Sequence, residues 1–289
     1  MEQKKQTLRQ ILTFLVITSV ISAGIFIWMF NGAKDSLTAV FPMMFTPGIA
    51  AIITAFIYKE KISGFGWKLG KPVYLSYGYI LPIIVSLIGY GLLWITEYSD
   101  FTTEHVENIK YAKMLGFELP VPFLVGLISK MILGTLLTVF FVFGEEVGWS
   151  GYLTPKLRKI YSIPATSILV GIYWSIWHYP AIIGGFYGSG TPLYISLPGF
   201  TLVLVGASFI RTVLIEKSNS IWGGVILHAS HNIILMGLFV QMTVDNGIID
   251  VNYLVSETGI FLGCVYILVG ILFWKLQMGK LMSNTVATI

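Results

Sequence analysis

The chain has 289 residues and a formal net charge of +4, with 55% hydrophobic residues, 11% charged residues and a mean hydropathy of +0.80. A soluble globular protein carries roughly 25% charged residues, so this composition excludes an ordinary soluble domain and indicates an integral membrane protein. The single cysteine, Cys264, excludes a disulfide within the chain and is expected to pack inside an apolar stretch.

Eight apolar stretches are long enough to cross a bilayer as α-helices, which need about 20 residues each. The first is too long for the core of a signal peptide and has no obvious cleavage site, so we expect it to stay as an anchor. The predicted fold class is an all-α polytopic membrane protein with about eight transmembrane helices. In chain order the stretches are 11–31, 37–58, 73–96, 121–144, 164–184, 194–215, 221–242 and 258–277.

These stretches divide one integral membrane domain into three regions. Residues 1–120 hold the first three helices and a long external loop, 97–120, which could contain a short surface helix. Residues 121–242 form a core of helices four to seven, and residues 243–289 hold an external loop, the last helix and a tail.

Basic residues concentrate in alternate connecting segments, and Lys and Arg accumulate on the cytoplasmic side of membrane proteins. Both termini are therefore predicted to be cytoplasmic, with Glu257 among the acidic residues of the opposite loops. The positive charge is explained by topology and by attraction to anionic lipid, so no nucleic-acid partner is needed. We expect a prokaryotic cell membrane. The basic residues in this pattern are Lys4, Lys5, Arg9, Lys59, Lys61, Lys68, Lys71, Lys156, Arg158, Lys159, Arg211, Lys217, Lys275 and Lys280.

A few polar side chains fall within or at the ends of the apolar stretches. An ionised group near the bilayer centre costs roughly 2.5 kcal/mol or more, so such residues usually mark a site. Three of the four histidines are in this group, although Lys130 is more typical of a paired or snorkelling cation. The set is Lys130, Glu145, Glu146, His178, His228, His231 and Asn232.

Helical spacing relates these residues to one another. His228 and Asn232 are four residues apart and share one helix face. Glu145 lies about 16 Å along a helix from Lys156, and His228 lies about 16 Å from Lys217. We therefore expect Glu145, His178, His228 and Asn232 to line one water-accessible cavity in the half of the membrane nearer the basic loops.

Three segments carry a resemblance to a known family. EEVGWSGYL (145–153), WSIWH (174–178) and HASHN (228–232) resemble, in this order, the motifs of the CPBP family of CAAX-protease and bacteriocin-processing enzymes, also called Abi and related to the type II CAAX prenyl endopeptidase. The family pattern has an arginine where this chain has Ser150. The role of that arginine is therefore absent here or is taken over by another cation such as Arg158.

The resemblance implies an intramembrane endopeptidase acting on a membrane-associated, hydrophobic or prenylated peptide or protein. Glu145 would be the general base, and a carboxylate in a desolvated pocket is a stronger base than one in water. His178 would hold the same water and later protonate the leaving amine. His228 and Asn232 would donate to the oxyanion, and Glu146 would orient a histidine or share a proton.

Other interpretations use the same residues. A zinc version would take Glu145, His178 and His228 as ligands, although the glutamate version without a cofactor is preferred because HExxH is absent. A transporter or channel with a Glu/His proton relay, or a catalytically silent scaffold or immunity protein, would also bury these groups. His231 lies outside the family pattern and is expected to make a structural hydrogen bond. Four tryptophans are expected to pack or to anchor at the interface. They are Trp149, Trp174, Trp177 and Trp222.

Overall fold

Long apolar helices make up almost the whole of the computed structural model, which describes residues 1–32, 37–188 and 190–286. The predicted all-α polytopic fold is confirmed. Lys34 and Asp35, which lie in the loop predicted between the first two apolar stretches, are outside the described residues. The helices are α1 (Glu2–Phe30), α2 (Leu37–Ile57), α3 (Pro72–Ile95), α4 (Glu104–Glu107), α5 (Lys110–Met114), α6 (Phe123–Arg158), α7 (Ile163–Ile183), α8 (Leu193–Ser218), α9 (Trp222–Met242), α10 (Val251–Val255) and α11 (Ile260–Val286).

Seven of the helices in the described part of the chain are long and apolar enough to cross a membrane. The remaining long helix, α7, has 21 residues and matches the predicted fifth span, but its aromatic residues and His178 lower its hydropathy. With α7 the bundle has about eight long helices, as the sequence predicts. The protein is therefore an integral membrane protein.

Helix α6 continues past the predicted apolar stretch, 121–144, to Arg158, as the helical distance from Glu145 to Lys156 assumes. The two glutamates do not end the helix, since other helices supply partners for their side chains. Two π-helical turns, Lys130–Gly134 and Trp149–Leu153, interrupt its α-helical hydrogen bonding. Glu145 and Glu146 thus lie inside a continuous helix, between these two turns.

Small residues allow the neighbours of α6 to approach it closely, as is usual between membrane helices. A Cβ atom at Gly144 would lie 2.6 Å from the ring of Phe45 in α2. A Cβ atom at Gly224 in α9 would lie 2.4 Å from the hydroxyl of Ser150. Glycines at these positions hold α2 and α9 directly against the turn that carries the glutamates.

The long external loop is structured. Two short helices, α4 and α5, occupy part of residues 97–120, which confirms the predicted surface helix. Residues Asp100–Phe101 (β1) pair with Thr243–Val244 (β2) in an antiparallel two-stranded sheet. This pairing joins the loop to the end of α9.

Three side chains outside the site differ from or refine the sequence expectations. Lys156, counted as a loop charge, is buried and forms an ion pair with Glu60. Cys264 is exposed rather than packed inside the bundle, so it lies on the outer face of α11. Lys130 is buried, and its ammonium lies 5.1 Å from the ring centroid of Tyr111, a cation–π contact that compensates part of its desolvation.

Candidate active site

A cavity of about 170 Å³ lies between α1, α2, α6, α7, α8 and α9. All five predicted site residues line it, so the predicted convergence is confirmed, while their catalytic roles stay predictions. Most of the remaining wall is apolar. The predicted residues are Glu145, Glu146, His178, His228 and Asn232, and the apolar wall includes Phe26, Met29, Met43, Met44, Phe186, Phe200 and Leu204.

The cavity extends along the bundle from the glutamates toward one set of helix ends. Phe26 and Met29 belong to the last two turns of α1, and Phe186 follows the end of α7. Both helix ends lie at the side of the bundle opposite the N-terminus of α1. In the other direction the cavity reaches Arg211 and Gly224, and its depth in the membrane stays a prediction.

Glu145 is held from one side only. Its Oε2 accepts hydrogen bonds from the indole Nε1–H of Trp149 at 3.1 Å and of Trp174 at 2.9 Å. Its Oε1 has no hydrogen-bond partner among the described residues, and the side chain is 2% exposed. Trp149 and Trp174 are buried, as expected of packing residues, and their indoles in addition bind the carboxylate and leave its other oxygen open.

Glu146 is fully buried and has a partner on three sides. Its Oε1 accepts from Nδ1 of His228 at 3.1 Å and from the guanidinium of Arg211 at 3.3 Å. Its Oε2 accepts from the hydroxyl of Ser150. Both carboxylate oxygens of Glu146 therefore accept hydrogen bonds. This arrangement is compatible with the predicted role of Glu146 in orienting a histidine.

In each of the two motif histidines, His178 and His228, one ring nitrogen is hydrogen-bonded and the other is open among the described residues. Nδ1 of His178 lies 3.0 Å from the carbonyl oxygen of Trp174. A carbonyl and a carboxylate only accept hydrogen bonds, so Nδ1 carries the proton in His178 and in His228. In the neutral ring Nε2 then keeps its lone pair. Neither Nε2 has a hydrogen-bond partner within the described part of the chain.

Asn232 lies one helical turn beyond His228 on α9 and also lines the cavity. Its side chain is half-buried, and its amide makes no hydrogen bond to another described residue. An amide carries two N–H donors. The residue is therefore positioned beside His228 with unused donors.

A second network faces the same cavity and was not predicted from the sequence. Nε2 of His231 lies 3.1 Å from Glu257, and Nδ1 lies 2.7 Å from the hydroxyl of Tyr266. The hydroxyl of Tyr187 also donates to Glu257. The structural role expected of His231 agrees with these contacts. Glu257, which was expected in a loop, lies in the short segment between α10 and α11 and is buried. The signal for it in the sequence was that it lies next to an apolar stretch.

Arg211 is the other site residue that sequence reasoning missed. It lies inside α8, is 1% exposed and contacts Glu146, although its position near a basic loop suggested a topological role. Arg158, the expected substitute for the missing motif arginine, instead pairs with Glu216 at 3.0 Å outside the cavity. A charge in the middle of an apolar run was the signal that could have found Arg211.

The zinc alternative would take Glu145, His178 and His228 as ligands. Within the described residues, no group of three or more His, Cys, Asp or Glu side chains lies close enough, as arranged, to hold a metal ion. The hydrogen bonds of Glu145 and of the two histidines leave Oε1 of Glu145 and both Nε2 atoms open, among the described residues, to a water or a polar substrate atom.

The fold and the site define a polytopic membrane protein with a carboxylate and two imidazoles around an internal cavity. Residues 126–234 match the family model described as "Type II CAAX prenyl endopeptidase Rce1-like". This match confirms, for that part of the chain, the resemblance seen in its three motifs. A 38-residue segment is also 53% identical to CAAX prenyl protease 2 of Methanococcus maripaludis, and it covers 13% of this chain and 14% of that protein.

Proposed function

We propose that the chain is an intramembrane endopeptidase that uses a water activated by Glu145. The observation that carries the proposal is the free Oε1 of Glu145 in a cavity that also receives His178, His228 and Asn232. An open carboxylate oxygen beside an open imidazole nitrogen is what a general base and its orienting partner require. The match to the CAAX protease family supports a membrane protease.

In the first step a water donates one O–H to Oε1 of Glu145 and the other to Nε2 of His178. The water oxygen attacks the peptide carbonyl carbon as its proton moves to Glu145. The carbonyl π electrons move to oxygen and form the oxyanion of a tetrahedral intermediate. His178 needs its unprotonated Nε2 for this task, and the hydrogen bond from its Nδ1 to Trp174 selects that tautomer.

The oxyanion accepts hydrogen bonds from the amide of Asn232 and from His228 in its imidazolium form. Glu146 stabilises that form, because its carboxylate already accepts from Nδ1 of His228. Collapse of the intermediate breaks the C–N bond, and its electron pair goes to nitrogen. The amine takes its proton from Glu145, since His178 holds no spare proton in this tautomer. The products are a carboxylic acid and an amine.

The substrate class follows from the wall of the cavity. Aromatic and methionine side chains such as Phe26, Met29 and Phe186 surround the polar site and suit an apolar or prenylated residue next to the scissile bond.

We propose that the protein lies in a prokaryotic membrane with both termini in the cytoplasm, on the basis of the basic segments and the similarity to an archaeal protein. A cysteine at position 280 in a Cys264→Ser background should react with membrane-impermeant reagents from the cytoplasmic side only.

The test of this function is hydrolysis by the purified protein in detergent or lipid nanodiscs. Peptides with a hydrophobic C-terminal segment, prenylated or not, would be incubated with it, and the products identified by mass spectrometry. We expect one internal peptide bond to be cut. A folded protein that cuts none of these peptides, but moves protons or ions across liposome membranes, would instead support the transporter reading.

A further inference from the structure

Arg211 sits behind the two glutamates and contacts both halves of the site. Its Nη1 donates to Oε1 of Glu146 at 3.3 Å, and its Nη2 donates to Ser208 at 2.6 Å. Its Cζ lies 4.3 Å from the ring centroid of Trp174. The guanidinium is 1% exposed, and these contacts replace part of its hydration, while its Nε–H has no hydrogen-bond partner among the described residues.

Each contact leads to a different catalytic group. Glu146 holds Nδ1 of His228, and the indole of Trp174 donates to Oε2 of Glu145. One cation therefore supports the proposed base on one side and the proposed oxyanion donor on the other. Without it, the described part of the cavity would hold two adjacent carboxylates whose only nearby cation is an imidazolium.

We propose that Arg211 is a positioning residue that takes the role of the missing motif arginine, by holding Glu146 as the carboxylate that orients His228. This inference rests on the proposed function. The cation comes from α8 rather than from the helix of the glutamates, and the position that would otherwise carry it holds Ser150, whose hydroxyl also donates to Glu146. The same carboxylate thus receives its positive partner from a neighbouring helix.

The surroundings of Ser150 agree with a displaced cation. A second cavity, of about 260 Å³, adjoins Ser150 and is lined by residues that include Arg158, Glu216 and Asn219. It leaves space beside position 150 for a longer side chain. Moving the cation back to that position is therefore a practical experiment.

The experiment compares Arg211→Gln, Arg211→Lys and the matched control Arg158→Gln in the peptide-cleavage assay. We expect Arg211→Gln to lower kcat by about 10–100-fold, as for other groups that orient catalytic residues, with KM nearly unchanged. Arg211→Lys should lose less, because it keeps the charge without the planar fork. Arg158→Gln should match the wild type in kcat, since Arg158 lies outside the cavity and contacts an exposed glutamate, Glu216, and the carbonyl oxygen of Tyr161. A folded Arg211→Gln protein with wild-type kcat would overturn the proposal.

Relocation of the charge separates positioning from a structural role. In the double variant Ser150→Arg with Arg211→Gln, we expect at least part of the lost kcat to return, whereas Arg158→Gln in the same background should restore nothing. A relocated arginine that leaves a folded protein at the kcat of Arg211→Gln counts against the proposal.

A measurement that needs no substrate distinguishes this inference from the proposed function. The thermal unfolding of Arg211→Gln, Glu146→Gln and the double variant forms a double-mutant cycle. Even if no peptide is cut, we expect the losses of Tm in the two single variants to be strongly non-additive. The double variant should be no less stable than the less stable of the two single variants. Additive losses of Tm would remove the Arg211–Glu146 coupling and the proposal with it.

Discussion

Two hydrogen-bond networks face the same cavity and differ in what they leave unused. In the network of Glu146 and His228, one ring nitrogen of the histidine is bound and the other is open. In the network of Glu257 and His231, both ring nitrogens are bound and both carboxylate oxygens have partners. The two histidines are three residues apart on α9, so the difference comes from their partners and not from depth.

The comparison shows that burial of a polar group is insufficient to identify it as reactive. A group whose donors and acceptors are all satisfied contributes to stability. A group with one open atom toward a cavity can bind a water or a substrate atom. By this criterion we propose Glu145, His178, His228 and Asn232 as the reactive set and assign His231 and Glu257 a structural role.

The largest effect is expected for Glu145→Gln. Glutamine keeps the shape and can still accept from the two indoles through its amide oxygen, but it cannot take a proton from water. We expect turnover of a confirmed peptide substrate to fall at least about 10³-fold with an unchanged Tm. Full activity of this variant would eliminate the proposed base.

The next largest loss of kcat is expected for His228→Ala, and a comparison with His231→Ala tests the two histidines of α9 directly. His228→Ala should reduce kcat by about 10²–10³-fold, the usual cost of an oxyanion donor, because it also leaves Glu146 without the ring that it orients. The matched change His231→Ala in the same assay serves as its control. Equal losses of kcat in folded proteins would break the distinction between the two networks.

Asn232→Ala should also lower kcat by up to about 10²-fold, since a neighbouring donor remains. The amide has no partner in the described residues, so its removal should leave Tm close to that of the wild type. Steady-state kinetics and a melting curve measure the two quantities. A large loss of Tm with normal kcat would assign Asn232 a structural role instead.

The smallest effect on turnover is expected for His231→Ala. The change removes hydrogen bonds to Tyr266 and Glu257 and leaves a buried carboxylate with one partner fewer. We expect kcat to stay within about threefold of the wild type, while the free energy of unfolding falls by about 1–3 kcal/mol. Differential scanning fluorimetry and the cleavage assay together test this separation.

The sequence predicted the spans and the motif residues well because both depend on local patterns. Long apolar runs define helices α1 to α3 and α11, and helical spacing relates His228 to Asn232. The partners could not be predicted in the same way. Arg211 reaches Glu146 across a helix interface, and Glu257 reaches His231 from the segment before α11. Such contacts depend on the packing of helices that are distant in sequence, as does the direction in which the cavity extends.

The apolar stretch alone does not show where α6 ends, for a related reason. Two adjacent glutamates after an apolar run resemble the end of a span, but Trp149, Trp174, Arg211 and His228 satisfy them inside the bundle. The helix therefore has no physical reason to stop there.

The central claim is that Glu145 activates the water without a metal ion. Its most direct test is the cleavage rate of purified protein after treatment with strong chelators, together with measurement of bound zinc by mass spectrometry. We predict an unchanged rate and no stoichiometric zinc, because the described His and Glu side chains form no three-ligand cluster. Loss of activity on chelation, with recovery on addition of Zn²⁺, would contradict the account.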